Sequence, residues 1–353
     1  MRILLWHVHG GWTDAFVRGD HEYLLPTTPD GGAWGLGRAG RDWPASVREV
    51  APESLRDEDV DLVVLQRTEE IAASERLLKR RLGRDVAAVF VEHNTPKPSA
   101  YDTVHPLAGR SDILIVHVTH FNRLMWDNGD APTAVIEHGI NDPGELYTGE
   151  LPALGVVINE PVRRWRVTGT DLIPAFTRAA PVHVFGMGTD LLPPELQVGR
   201  ADLTIVGDLE TTQLHAALGR RRAYVHPMRW TSLGLSLLEA MHVGMPVIAL
   251  ATTEAVRAVP PEAGAISTDP QQLVDSARRI VADPDEARAR GKVARAFALE
   301  HYGLPAFLAN WDAVMADQVD RVRARRIPRL VSLSSNPSSG LSSNPPSTKG
   351  SPL

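Results

Sequence analysis

Short runs rich in valine, isoleucine and leucine recur along the chain, and between them apolar residues fall at helical spacing. A brief, unbroken apolar run bounded by turn residues marks a strand buried on both faces. On that pattern the first half should hold strands over 2–9, 22–25, 61–65, 87–92, 113–118 and 134–137, with helices over 69–81 and 120–127. The second half should hold strands over 154–159, 182–185, 204–206, 223–225 and 246–250. Helices are expected there over 169–179, 211–218, 234–243, 270–282 and 284–300. The last two begin at Asp269-Pro270 and Asp283-Pro284, where proline's fixed φ suits the first helical position. Strands alternating with helices make parallel sheets, so the expected class is α/β, with two doubly wound, Rossmann-like domains.

A chain of 353 residues can build two cores of ordinary size. The turn-rich stretch from His138 to Gly144 follows a predicted strand and marks the break between halves. The expected division is 1–142 for a first α/β domain, 143–305 for a second, and 306–328 for a long terminal helix. Residues 329–353 are Ser, Pro, Asn and Gly in the main, and Leu-Ser-Ser-Asn-Pro occurs at 333–337 and again at 341–345. Such a composition cannot bury a core, so a disordered tail is expected.

Composition narrows the function classes. A formal charge of −6 without basic clusters argues against a nucleic-acid partner. The absence of cysteine excludes disulfides, thiolate metal sites and thiol nucleophiles, and fits a cytoplasmic protein. The apolar start at Ile3 meets His7 and His9 too soon for a signal peptide, and no apolar run reaches membrane-spanning length. Lysine occurs only at positions 79, 97, 292 and 349. A cation that holds a phosphate between those middle two positions must therefore be arginine or histidine.

The segment from His226 to Leu250 carries the densest chemistry. A helix should open at Gly234, where no Cβ obstructs a ligand and the backbone N–H groups of Gly234 and Leu235 are free. Free amides and the positive helix end suit a phosphate. Glu239 lies about one turn further in, with two oxygens able to accept from the vicinal hydroxyls of a ribose. The neighbours Leu237, Leu238, Ala240 and Met241 are all apolar, which is unusual for an acid on a solvated helix face. Gly244 then stops the helix and Pro246 leads into a buried strand. A phosphate site and a diol acceptor so close together point to a nucleotide.

This segment resembles the nucleotide-sugar signature of GT-B glycosyltransferases, in particular retaining glycosyltransferase family 4 (glycosyl transferases group 1), which includes sucrose synthases and mannosyltransferases. Leu233-Gly234-Leu235 and Glu239-Ala240-Met241 match the signature, whereas the position of its first acid holds Thr231. The resemblance implies two domains facing across a cleft and a terminal helix that packs back on the first. It implies transfer of a sugar from a nucleotide diphosphate sugar to an acceptor hydroxyl, with retention and with neither metal nor other cofactor. Glu239 would hold the ribose, the Gly234 and Leu235 amides the diphosphate, and Thr231 the sugar.

Further candidates come from the same resemblance. The stretch from Gly155 to Leu172 carries Arg163, Arg164 and Arg166 before Gly169. Anchored on Gly169, the signature's arginine falls at Arg163 and its lysine at Thr168, so Arg163, helped by Arg164 or Arg166, would meet the charge building on the leaving diphosphate. Arg229 is a fourth cation. His93 ends a predicted strand, where ligands of open α/β sheets sit, and matches a histidine that the family places beside the donor sugar. Gly10 and Gly11 resemble the Gly-rich first loop that approaches the donor phosphate.

Two alternatives stay open. Loss of both the first acid and the lysine could leave a nucleotide-binding scaffold without turnover. His7 and His9, with His117, His120 and His138, could instead ligate a hydrolytic metal. The run Gly35-Leu36-Gly37-Arg38-Ala39-Gly40 fits a dinucleotide pattern but follows no clear strand, and Trp43-Pro44 opposes a helix, so it reads as a loop.

Overall fold

The computed structural model describes residues 1–326 apart from Gln197 and Arg200. The expected tail at 329–353 and the last two residues of the expected terminal helix lie outside them. Seven strands make the first sheet: β1 (Arg2–Leu5), β2 (Glu22–Pro26), β3 (Val47–Val50), β4 (Leu62–Leu65), β5 (Ala87–Glu92), β6 (Leu114–His117) and β7 (Thr133–Val135). Six make the second: β8 (Leu151–Val157), β9 (Val182–Phe185), β10 (Leu203–Gly207), β11 (Arg221–His226), β12 (Val247–Leu250) and β13 (Gly264–Ser267). The orders are β3-β2-β1-β4-β5-β6-β7 and β10-β9-β8-β11-β12-β13, and neighbours within each run parallel.

Each sheet reverses its winding once, between β1 and β4 and between β8 and β11. At such a point the connections leave the strand ends in opposite directions and open a crevice. Segments following β1, β5, β8 and β11 line one cavity, so the two crevices face each other across a shared cleft.

Both faces of each sheet are covered. Trp6, Leu55, Leu78 and Phe90 bury one face of the first sheet. On the other, Trp12, Phe16 and Tyr23 pack with Phe307, Trp311, Met315 and Val319. Those last four belong to the helix Leu304–Arg326, so the chain returns to the first sheet after completing the second. Where the chain leaves the first sheet, Ile140 N–H donates to the Tyr302 carbonyl at 2.9 Å. Asp142 pairs with Arg295 at 2.8 Å. A Cβ on Gly139 would stand 2.3 Å from Cβ of Phe307, so the two crossings are in close contact.

Local departures from the expected elements have readable causes. The strand expected over 2–9 ends at Leu5, and Gly10–Phe16 is a helix rather than a Gly-rich loop. The helix expected over 169–179 begins instead at Pro161 and ends at Thr168, followed by short helical turns at Thr170–Leu172 and Ile173–Phe176. Gly169 has φ +70°, the left-handed conformation of a helix terminator, and Pro161 supplies the start. The helix is kinked at Trp165. Edge strands β3, Val-Arg-Glu-Val, and β13, Gly-Ala-Ile-Ser, carry too few consecutive large apolar residues to stand out as apolar runs. Among the described residues no helix is long and apolar enough to cross a membrane.

Candidate active site

The helix Leu235–Val243 forms the centre of one wall. Leu237, Leu238, Ala240 and Met241 are fully buried, which fixes the helix and leaves Glu239 on its cleft side. Gly234 caps the helix with extended backbone and without a side-chain acceptor. The amides of Leu235 and Ser236 therefore lack intrahelical partners, and both residues line the cavity. Tyr224 OH lies 2.9 Å from Ser236 Oγ and steadies that first turn. The space at Gly234 is limited from below, because a Cβ would come within 3.0 Å of the buried His226 ring. Glu239 is about a fifth exposed, and its Oε2 lies 3.7 Å from His215 Nε2.

The arginines divide sharply. Arg163 is exposed, pairs with Glu160 and does not line the cavity. Arg166 and Arg229 both pair with Asp171, at 3.1 Å and 2.5 Å. Arg164 alone of the four lines the cavity, and its burial lowers its pKa from the ordinary arginine value. Anchoring the signature on Gly169 points to Arg163. Because the helix opens at Pro161, helical geometry turns Arg163 outward and Arg164 toward the cleft. Thr168, at the signature's lysine position, is fully buried and bonds Thr170 Oγ1 at 3.0 Å.

The floor of the cavity is a histidine cluster. His93 sits 4.0 Å from His9, ring centre to ring centre, and 5.3 Å from Trp12. His138 lines the same space. Burial is the main force lowering all three pKa values, and proximity to His9 adds to it for His93 and His138. His138 falls to about 4. All three are neutral near neutral pH. His93 Nε2, His138 Nδ1 and Thr231 Oγ1 are buried with no hydrogen-bond partner among the described residues.

The opposite wall comes from the first domain. Gly11 faces the start of the Leu235 helix so closely that a Cβ would stand 2.8 Å from Leu235 Cδ1. Gly10 leaves room for the Arg41 guanidinium. Both glycines occupy the first helical turn, so their smallness serves close packing here. Trp230 Nε1 donates to the Pro96 carbonyl at 3.2 Å, and Phe121 N–H donates to Glu254 Oε2 at 2.7 Å. The two walls thus touch on one side of a cavity of about 570 Å³.

Arg41 and Lys97 line the cavity and were not singled out from the sequence. Arg41 directly follows the Gly-rich stretch Gly35–Gly40 that reads as a loop, and nothing in its neighbours distinguishes it. His138 was weighed only as a metal ligand, although it too follows a strand. The metal alternative finds no support in the geometry. His7 Nδ1 is bonded to the Gly37 carbonyl at 2.9 Å and His117 Nε2 to Asn128 at 3.0 Å. Among the described residues no group of three or more His, Asp or Glu side chains could hold a metal ion.

Comparison with known proteins agrees with this architecture. Residues 186–297 match the family model described as glycosyl transferases group 1. The Anabaena protein Alr3699/HepE, solved in complex with UDP, superposes with a TM-score of 0.68 at 14% identity, covering 90% of this chain and 100% of that one. Sucrose-phosphate synthase from Thermosynechococcus elongatus gives 0.67 at 16% identity, covering 90% and 98%. A glycosyltransferase from Rickettsia africae gives 0.66 at 14% identity with the same coverage. No curated protein matches by sequence. The chain therefore has the GT-B fold, and a segment of its second domain matches the glycosyl transferases group 1 model.

Proposed function

We propose that this GT-B protein transfers a glycosyl group from a nucleoside diphosphate sugar to an acceptor hydroxyl. The observation that carries the reading is the convergence of the Gly234 helix start, Glu239 and Arg164 on one wall of a single cleft. Glu239 accepts from the ribose hydroxyls. The Leu235 and Ser236 amides and Arg164 meet the diphosphate, whose negative charge grows as the bond from the sugar's anomeric carbon to phosphate oxygen breaks. A bond from that carbon to the acceptor oxygen forms, and the acceptor's proton passes to the departing phosphate oxygen. His93 and Thr231 face the sugar, with Thr231 giving a hydroxyl where the related signature has an acid.

Preorganised amides and an arginine stabilise a diphosphate leaving group without a divalent cation, and retention at the anomeric carbon follows the resembling family's habit. The Anabaena structures hold UDP and UDP-glucose, which makes uridine the first base to try. A thermal-shift screen with UDP-, GDP-, ADP- and dTDP-sugars identifies the donor, since a ligand that binds only the folded state raises its melting temperature. Release of nucleoside diphosphate with chelator present then reports turnover, and the anomeric configuration of the product reports retention. Binding by no nucleotide would sink the reading. Thr231 in the acid's position and the buried Thr168 in the lysine's favour one second reading, a nucleotide-binding scaffold. Tight donor binding with no diphosphate release would select it.

A further inference from the structure

Two cations of the first wall have no counter-charge among the described residues. Arg41 reaches the cleft over Gly10, where a Cβ would stand 2.6 Å from its Nη2. Lys97 enters from the segment following β5. Among the described residues neither makes an ion pair, whereas Arg163, Arg166 and Arg229 are all neutralised by Glu160 or Asp171. On the transferase reading, the donor's diphosphate is met from the second wall by Arg164 and the helix start. Arg41 and Lys97 are then left facing the space that the acceptor must enter. That space extends further, because a second cavity of about 410 Å³ shares Arg41 and Glu239 with the first.

The floor adds an independent sign of a ligand. His138 is 6% exposed, lines the cleft and leaves Nδ1 without a partner. His93 Nε2 and Thr231 Oγ1 are likewise buried and unpartnered. Buried polar atoms are destabilising unless something bonds them, and hydroxyl groups of a bound molecule can do so. The histidines are neutral and contribute hydrogen bonds rather than charge. Selection for charge falls to Arg41 and Lys97, a planar fork and a point charge that both suit phosphate.

We propose that the acceptor is a phosphate monoester bearing free hydroxyls, its phosphate held by Arg41 and Lys97 and its reacting hydroxyl directed toward His93, His138 and Thr231. The proposal rests on the transferase reading. Its phosphate can belong to a soluble sugar or polyol phosphate or to a lipid headgroup.

The test uses the full chain saturated with UDP, GDP, ADP or dTDP, whichever raises its melting temperature. Glucose 6-phosphate and glycerol 3-phosphate are titrated against glucose and glycerol by calorimetry. In parallel, sedimentation is measured with phosphatidylcholine vesicles lacking or containing phosphatidic acid. We expect a phosphate preference of about tenfold or more, the scale of one charge-assisted contact. The Arg41→Ala/Lys97→Ala double variant should erase that preference and leave nucleotide affinity within about threefold. Preference among soluble compounds identifies a free acceptor, and binding only to phosphatidic acid vesicles identifies a lipid headgroup. Nucleotide binding without any phosphate preference overturns this proposal alone. So does a loss of about tenfold or more in nucleotide affinity in the double variant, which would assign the two cations to the donor. Failure of every nucleotide to bind overturns the transferase reading and this proposal with it.

Discussion

The two walls of the cleft are built on different plans. The second draws most of its binding groups from one contiguous stretch: Thr231, the helix start at Gly234 and Glu239. Much of what it offers is backbone, and the buried face of the helix holds it in place. The first wall assembles His9, Arg41, His93, Lys97 and His138 from four separate connections. Its groups are side chains, carried by separate loops except for His93 and Lys97, which share the connection after β5. Backbone donors persist through any substitution that preserves the helix, whereas loop side chains change singly. A GT-B scaffold can therefore keep its anion and ribose sites while its acceptor chemistry is rewritten residue by residue.

The sharpest way to break this comparison is to undermine one wall from behind. Trp311 is buried against Trp12 and Phe16, beneath the first wall. Trp311→Ala should cost about 3–5 kcal/mol, the range for truncating a buried aromatic. Urea unfolding followed by tryptophan fluorescence should then show an early transition, with nucleotide binding surviving it. A single joint transition that abolishes binding would mean the walls are not independent units.

Next in size is the cation proposed to meet the leaving group. Arg164→Ala should lower kcat by about a hundredfold, the effect of removing one donor aimed at transition-state charge. Arg163→Ala should change kcat by less than about twofold, because a surface ion pair contributes little. Equal losses in the two variants would reject the assignment to Arg164. Smaller again is Glu239→Ala, which removes a charged acceptor from the proposed ribose site. Nucleotide Kd should rise by about tenfold to a hundredfold, corresponding to a contact of roughly 1.5–3 kcal/mol. An unchanged Kd would remove Glu239 from the ribose site.

The same contrast explains what could be read from the chain before the structure. Apolar runs located most strands because both sheets are parallel and covered on both faces, so their sequences are uniformly apolar. The Leu235 helix was legible because start, acid and stop lie within ten residues of one another. The signature anchored on Gly169 points to Arg163 with Arg164 as its helper, whereas the fold lines the cavity with Arg164 and leaves Arg163 outside it. Arg41, Lys97 and His138 carried no local signal. They meet only because strand order brings the connections after β2, β5 and β7 to one cleft, and spacing along the chain does not encode that meeting.

Histidine burial gives the mildest test, one that contrasts the walls through pH. His138, on the first wall, and His226, beneath the second, are both lowered by burial from 6.5 to about 4. In the unfolded chain each binds a proton as pH falls through 6.5, while in the folded protein each stays neutral until about 4. The unfolded state thus holds more protons across that window, and folding stability falls as pH drops through it. Above the unfolded value neither histidine contributes to the pH dependence. Replacing either residue with glutamine removes one such group, so the decline should become shallower by at most about 1.4 kcal/mol per pH unit. Urea midpoints for the wild type and both variants, taken at intervals across the window, measure this directly. Equal flattening means that both walls keep their histidines dry. Flattening by His226→Gln alone would show that water reaches His138, and that the first wall opens far more readily than the second.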